Sequence, residues 1–302
     1  MMSLYLPRCI LSSLARQCRS ATFTAAAPTH TNHHTTSIVH PSADIHPSAT
    51  VGPFCIVGEH VVIGPEVHLQ SHCVVEGHTT LGARCAVHSH AIIGTQSQDK
   101  KCTGKSTHTD IGADCTIREF VTINRGTESA TTIGTNVHLL ANVHVGHDCT
   151  VEDDVVVSNG SCLAGHVWVG RGAIVGGLCG IQQRIRIGQL AMVGGASAVD
   201  RDVMPYGLVM GNRATLRGIN LIGLRRKGVS RNEISCLLAS QRYLYPAVHA
   251  EAGSSFAPPL DLPLRPTLQE RQQELALAIA QKKGTMGKSS TLVQEVLAFL
   301  QQ

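Results

Sequence analysis

Aromatic residues make up only 3% of this 302-residue chain, and charged residues only 15%. So few large rings argue against a core built around aromatic side chains. Thin, regularly stacked backbone with β-branched residues inside fits the composition better. No run of 18 apolar residues occurs, so the sequence offers no membrane-spanning helix. A formal net charge of +4 is too small to be the footprint of a nucleic-acid binder. The 11 cysteines show neither CxxC pairs nor a disulfide-framework spacing. Cys55, Cys73, Cys85, Cys115, Cys149 and Cys162 read as small, reduced hydrophobes at positions that need small residues, which implies a reducing compartment.

Acidic residues are absent up to Asp44, while Arg8, Arg16 and Arg19 lie among Ser, Thr, Ala and Leu. That is the composition of an organelle transit peptide, assigned to residues 1–37. Pro7 and Arg8 interrupt the apolar segment, which disfavours a secretory signal. The expected destination is the mitochondrion, with the plastid second. Removing the three arginines leaves a mature charge near +1 (4 − 3).

What is present is a six-residue clock. Val39, Ile45, Val51, Val57, Ile63, Leu69, Val75, Leu81, Val87 and Ile93 fall in step, and Ile111, Ile117 and Ile123 resume it. After a four-residue slip, every sixth residue from Ile133 to Val199 is again Val, Ile or Leu. A helix needs a period of 3.6 and an ordinary strand a period of two, so neither explains a strict six. A short strand plus a corner does, and three such units close a triangular coil of about 18 residues. Glycine often follows the aliphatic residue, as at Gly52, Gly58 and Gly64, and is expected to serve the corner. Coils stacked about 4.8 Å apart would make a prism of roughly nine coils, on the order of 40 Å long.

The organisation follows: a β-helix over residues 38–210, a polar loop thrown out at 94–110, and a C-terminal helical domain over 211–302. Ser230 and Glu233 have capping-box spacing, with Ile234, Leu237 and Leu238 following at helical spacing. A Pro-rich linker occupies 251–267, and further helices are expected around 267–283 and 290–301.

Coil arithmetic gathers the histidines. Residues 18 apart lie above one another, so Asp148 lies under His166, and His147 is a near neighbour of both. Gln183 and Arg184 follow one coil on. His144, His147 and His166 have the donor types for a zinc site. Equally, one imidazole would serve as a general base for acyl transfer. The residues alone leave both readings open.

Five stretches resemble the UDP-N-acetylglucosamine O-acyltransferase family: IREFVTINRGT (117–127), ANVHVGHDCTV (141–151), LAGHVWVG (163–170), VMPYGLVMGNRA (203–214) and NLIGLRRKG (220–228). The resemblance spans about residues 39–245. It implies a left-handed parallel β-helix that forms homotrimers and needs no cofactor or metal. It also implies transfer of a 3-hydroxyacyl chain from acyl-carrier protein to the 3-hydroxyl of UDP-N-acetylglucosamine, the first step of lipid A synthesis. His147 matches the family's base, and Asp148 would orient it. The N–H of Gly165 matches the oxyanion donor. Gln98, Asp99, Lys101, His144, His166 and Gln183 match substrate-contacting positions. Asn220, Arg226 and Lys227 match residues that hold the nucleotide, and Gly195 the position that gauges acyl length. Departures from the pattern are Gln182 for a histidine, Arg184 for an aromatic, Ile222 for a glutamate and Leu238 for a basic residue. Another hexapeptide acyl- or acetyltransferase, or a zinc-dependent prism resembling gamma-class carbonic anhydrases, are the competing expectations.

Overall fold

The computed structural model describes residues 33–246, 267–281 and 291–301. The transit-peptide assignment, apart from residues 33–37, and the Pro-rich linker, apart from Thr267, lie outside the described residues.

The clock becomes a solenoid of about ten turns, a left-handed β-helix. Most strands are only two residues long, and the second residue of each points inward. Three sheets form the faces, with nine, eight and ten strands, all paired in parallel except the last strand of the ten. Ile38 pairs with Ile56 and Val39 with Val57, so one coil is 18 residues. The core is a column of stacked Val, Ile and Leu. Each such side chain, fully buried, contributes about 1.5–3 kcal/mol of transfer free energy.

The glycines after the aliphatic residues do a different job from the one expected. The left-handed backbone falls three residues after most of the aliphatics, as at Phe54, His60 and Glu66. Gly52 and Gly64 are instead needed for close stacking. A Cβ at Gly52 would come within 2.9 Å of the Gln70 backbone, and one at Gly64 within 2.8 Å of Leu81 O.

The cysteine reading also needs one correction. Cys55, Cys73, Cys85, Cys115, Cys149 and Cys179 sit two residues before an inward aliphatic and are buried. Cys162 sits one residue before Leu163, so the alternation of the strand turns it outward, and it is exposed. All nine cysteines among the described residues are free thiols.

Both interruptions of the clock are insertions into one coil each. His78 pairs with His108, 30 residues on rather than 18, because residues 96–107 leave the prism between strands Ile92–Thr95 and His108–Ile111. Thr109 pairs with Thr131, 22 residues on, because residues 126–129 are extra.

Past Val199 the sheet continues where the sequence clock had stopped. Gly207–Met210 adds a parallel strand to Met192–Val193, and Thr215–Ile219 folds back on it antiparallel. Four helices follow among the described residues: α1 (Leu221–Arg226), α2 (Arg231–Leu244), α3 (Leu268–Gln281) and α4 (Thr291–Leu300). The Ser230–Glu233 capping box opens α2. The helices share a second core with Met204, Tyr206 and Ile219. Helix α4 is latched to the prism: Gln189 Nε2 donates to Glu295 at 2.6 Å, and the Tyr206 hydroxyl donates to the same carboxylate. No described helix is long and apolar enough to cross a membrane.

Candidate active site

His147 lies at a corner, its side chain 10% exposed, beside Asp148, whose side chain is fully enclosed. Its Nδ1 is 2.7 Å from Asp148 Oδ2. The Asp148 backbone is left-handed (φ 59°), a conformation that a short polar side chain tolerates.

The four-residue insertion is what holds that carboxylate. Asp148 Oδ2 accepts the Thr127 N–H at 2.8 Å. Oδ1 accepts the N–H groups of Glu128 and Ser129 at 3.1 and 2.7 Å, and the Ser129 hydroxyl at 2.9 Å. Burial alone would raise the carboxyl's pKa. The hydrogen bonds from His147 and from the Ser129, Thr127 and Glu128 N–H groups outweigh it and hold the carboxyl well below the ordinary carboxylate range. An ionised carboxylate can only accept, so Nδ1 of His147 carries the proton. In the neutral imidazole, Nε2 is then a lone-pair acceptor, and it makes no hydrogen bond among the described residues.

Gly165 lies directly against the ring. A Cβ there would overlap the imidazole of His147. The glycine is therefore fixed by the histidine one coil below, since residues 147 and 165 are one coil apart. Its N–H meets no acceptor among the described residues.

The two insertions touch. The Ser97 and Thr127 hydroxyls share a hydrogen bond, the Thr107 hydroxyl donates to Gly126 O, and Lys105 Nζ donates to Glu128 O at 3.2 Å. The 96–107 loop is thereby held over the outward face that carries His144, Cys162, Gly180 and Ala198. The open cleft is about 870 Å³, lined also by Gln98, Asp99, Lys101, Asn124, His147, Gly165, Gln182, Gln183, Asp200 and Arg213. His144 is half-buried, its Nδ1 2.8 Å from Thr122 Oγ1. Burial, with His147 nearby, pushes the His144 pKa down.

The zinc expectation was built on His144, His147 and His166. The group whose donor atoms do converge, within 4.8 Å, is His147, Asp148 and His166. Asp148 already accepts five hydrogen bonds, one of them from the Nδ1–H of His147. A structural or catalytic zinc needs at least three uncommitted donors in tetrahedral array, and this set does not offer them.

Comparison with known proteins bears on the fold and site together. The model for "Udp N-acetylglucosamine O-acyltransferase; Domain 2" matches residues 202–255. Six hexapeptide repeats of bacterial transferases match 130–165, and the "GMPPB C-terminal domain" matches 33–128. A UDP-N-acetylglucosamine O-acyltransferase structure from Moraxella catarrhalis is 34% identical, with TM-score 0.76, covering 90% of this chain and 97% of that one. The chain belongs to the UDP-N-acetylglucosamine O-acyltransferase family. An Arabidopsis UDP-N-acetylglucosamine acyltransferase is 30% identical, with TM-score 0.71, over 88% of this chain and 94% of that one. Among curated sequences, the acyl-[acyl-carrier-protein]–UDP-N-acetylglucosamine O-acyltransferase of Burkholderia thailandensis is 45% identical over 127 residues. That match takes in 41% of this chain and spans about half (48%) of the relative's length.

Within this chain, the site residues expected from sequence divide into two sets. Gln98, Asp99, Lys101, His144, His147, Gly165 and Gln183 share the cleft, and Asp148 lies behind His147. His166 meets the ring of His147 edge-on, 5.1 Å between centroids, and its Nε2 is 3.8 Å from Asp148. Its own cavity, however, is a separate one, shared with Trp168, Arg184 and Arg186. Asn220, Arg226, Lys227 and Gly195 lie outside the cleft. Asn220 caps α1: its Oδ1 accepts the Gly223 N–H and its Nδ2 donates to Leu190 O, both at 2.9 Å. Lys227 pairs with Asp154 at 3.3 Å, and Arg226 is exposed. Gly195 is exposed, and a Cβ there would meet the Gly177 carbonyl at 3.4 Å.

Of the departures, Gln182 lines the cleft and Arg184 faces the His166 cavity. Ile222 is 64% exposed, and Leu238 packs against the helical core. The sequence reading missed Asn124, Cys162, Asp200 and Arg213, and it missed the amides of 127–129. Asn124 was detectable as a polar residue at the end of a rung just before a break in the clock. The amides carried no side-chain signal.

Proposed function

We propose that the protein transfers a 3-hydroxyacyl chain from acyl-carrier protein to the 3-hydroxyl of UDP-N-acetylglucosamine, opening a lipid A-type synthesis. The observation that carries this reading is the His147–Asp148 dyad, which presents an uncommitted Nε2 to a cleft floored by Gly165. Nε2 takes the proton of the sugar 3-hydroxyl as that oxygen attacks the thioester carbonyl. The Gly165 N–H donates to the resulting oxyanion. Collapse expels the carrier's thiolate, which takes the proton from the His147 imidazolium. Asp148 stabilises that imidazolium without itself being protonated, because its lone pairs are held by main-chain N–H groups. No acyl-enzyme is needed, and Cys162 has no part in the sequence of steps.

Two further parts of the reading belong with it. The protein works as a homotrimer with sites between neighbours, which would bring Asn220, Arg226, Lys227, Gly195 and His166 of one copy toward the cleft of another. It acts in an organelle, the mitochondrion first and the plastid second, as the acid-free first 43 residues suggest.

The test is direct. The full chain is incubated with UDP-N-acetylglucosamine and a panel of 3-hydroxyacyl carrier proteins, and acylated sugar nucleotide is sought by mass spectrometry. Product is expected, and it should vanish with His147→Ala. A His147→Ala protein with a near-normal rate would remove His147 as the base.

A further inference from the structure

Asn124 closes the strand Thr122–Asn124 and pairs with Thr95, where the 96–107 loop leaves the prism. It is 4% exposed. Both amide hydrogens are committed: Nδ2 donates to Thr95 Oγ1 at 2.9 Å and to Gln96 O at 3.1 Å. That fixes the orientation of the amide. Gln96 O can only accept, so turning the amide over would set two oxygens against each other. Asn124 lines the cleft, and its carbonyl oxygen Oδ1 is buried there without a donor among the described residues.

A buried acceptor without a donor is unfavourable; of the five buried side-chain atoms without a partner among the described residues, Asn124 Oδ1 and Asp200 Oδ1 belong to residues that line the cleft. Such an acceptor becomes reasonable where a ligand supplies the donor. The neighbours define the chemistry: Lys101 and Gln98 from the loop already offer donors to this cleft, whereas Asn124 Oδ1 offers only lone pairs. We propose that Asn124 Oδ1 is a specificity contact, accepting a hydrogen bond from a hydroxyl group of the bound substrates. The inference rests on the acyl-transfer reading, which supplies hydroxyls from two sources: the 3-hydroxyl of the acyl chain, and the sugar hydroxyls not being acylated.

The same residue has a second, structural role, since its Nδ2 pins the start of the loop. A fall in rate in a variant is therefore not enough, and the test is a ratio. Wild type and Asn124→Ala are compared in kcat/KM with carriers bearing an acyl chain with and without the 3-hydroxyl. They are then compared with UDP-N-acetylglucosamine and its 4-deoxy and 6-deoxy analogues. Wild type should favour the hydroxyl-bearing member of one pair by roughly tenfold to a hundredfold, the range for one buried hydrogen bond. Asn124→Ala should lower kcat/KM for that member and bring the preference close to one. The pair that responds identifies the source. If Asn124→Ala instead lowers kcat/KM by the same factor for every substrate, or not at all, Asn124 only anchors the loop and the proposal is wrong. If wild type transfers no acyl group with any pair, the acyl-transfer reading fails and this one falls with it. The two failures are distinguished by wild-type turnover alone.

Discussion

Asp148→Asn changes one oxygen to nitrogen in a side chain that is fully enclosed, and its consequences follow from the hydrogen bonds around it. The carboxylate accepts on Oδ1 from Glu128 and Ser129, and on Oδ2 from Thr127 and His147. An amide keeps only one acceptor atom. If that oxygen faces Thr127 and His147, the new NH2 confronts the N–H groups of both Glu128 and Ser129. If it faces Glu128 and Ser129, the NH2 confronts a single N–H, that of Thr127. The second orientation has fewer donor–donor conflicts and is the one expected. It also turns an NH2 toward His147 Nδ1. That nitrogen must then accept, so the imidazole proton moves to Nε2 and the base loses its lone pair. Loss of general-base catalysis costs about 10²- to 10⁴-fold in kcat, or about 2.7–5.4 kcal/mol at 1.36 kcal/mol per tenfold. KM should move little, because Asp148 lies behind His147 rather than on the substrate. Stability should fall by about 2–4 kcal/mol, from a lost charge-assisted bond and an unsatisfied Thr127 N–H.

The pH dependence has a definite sign. The folded-state pKa of Asp148 is depressed, so its stabilisation is present above the ordinary carboxylate range, near 3.9, and lost as pH falls through and below it. The gap in urea midpoint between wild type and Asp148→Asn should be widest at neutral pH and shrink below about pH 4. Steady-state kinetics and urea titrations from pH 3 to 8 read all of this. An Asp148→Asn enzyme with wild-type kcat and an unchanged pH–rate profile would refute the tautomer argument.

Other perturbations bear on different parts of the structure. Gly165→Ala should displace the His147 ring and lower kcat by about 10²-fold, the low end for loss of a positioned base, while the circular dichroism spectrum stays that of wild type. Leu163→Ala, which empties one level of the column, should cost about 2–5 kcal/mol in urea denaturation; a much smaller loss would mean that neighbouring coils collapse into the gap. Glu295→Ala removes the acceptor of the Tyr206 hydroxyl hydrogen and of Gln189 Nε2, while the phenol oxygen still accepts from Gln189, at a cost of about 1–3 kcal/mol. It should expose α4 to limited proteolysis while the prism remains protected.

The fold was legible because the core repeats itself. Val151 and Val169 occupy equivalent environments one coil apart, so the same requirement appears in the sequence every sixth residue. The same arithmetic set His147 beside His166 and put Asp148 within reach of both. It did not reveal how Asp148 is held. Apart from the Ser129 hydroxyl, its partners at 127–129 are main-chain amides 19–21 residues away, and a backbone N–H leaves no mark on residue identity. Asn124 was overlooked for a related reason: its importance lies in one unpaired lone-pair direction, set by where its NH2 points. Asn220 shows the converse. The sequence suggested a ligand contact, whereas locally its amide is spent on capping α1. Cys162 was misplaced by a single residue of register, which in a strand is the difference between the two faces.

The dyad's support from the main chain has a consequence for how such a protein can change. Thr127 and Glu128 contribute only peptide hydrogens, which almost any residue other than proline would supply. The reacting centre is thus insulated from drift in the side chains that support it. The positions that touch what enters the cleft, Gln182 and Asn124 among them, enjoy no such insulation. Substrate preference can therefore wander in this scaffold while its proton chemistry stays put.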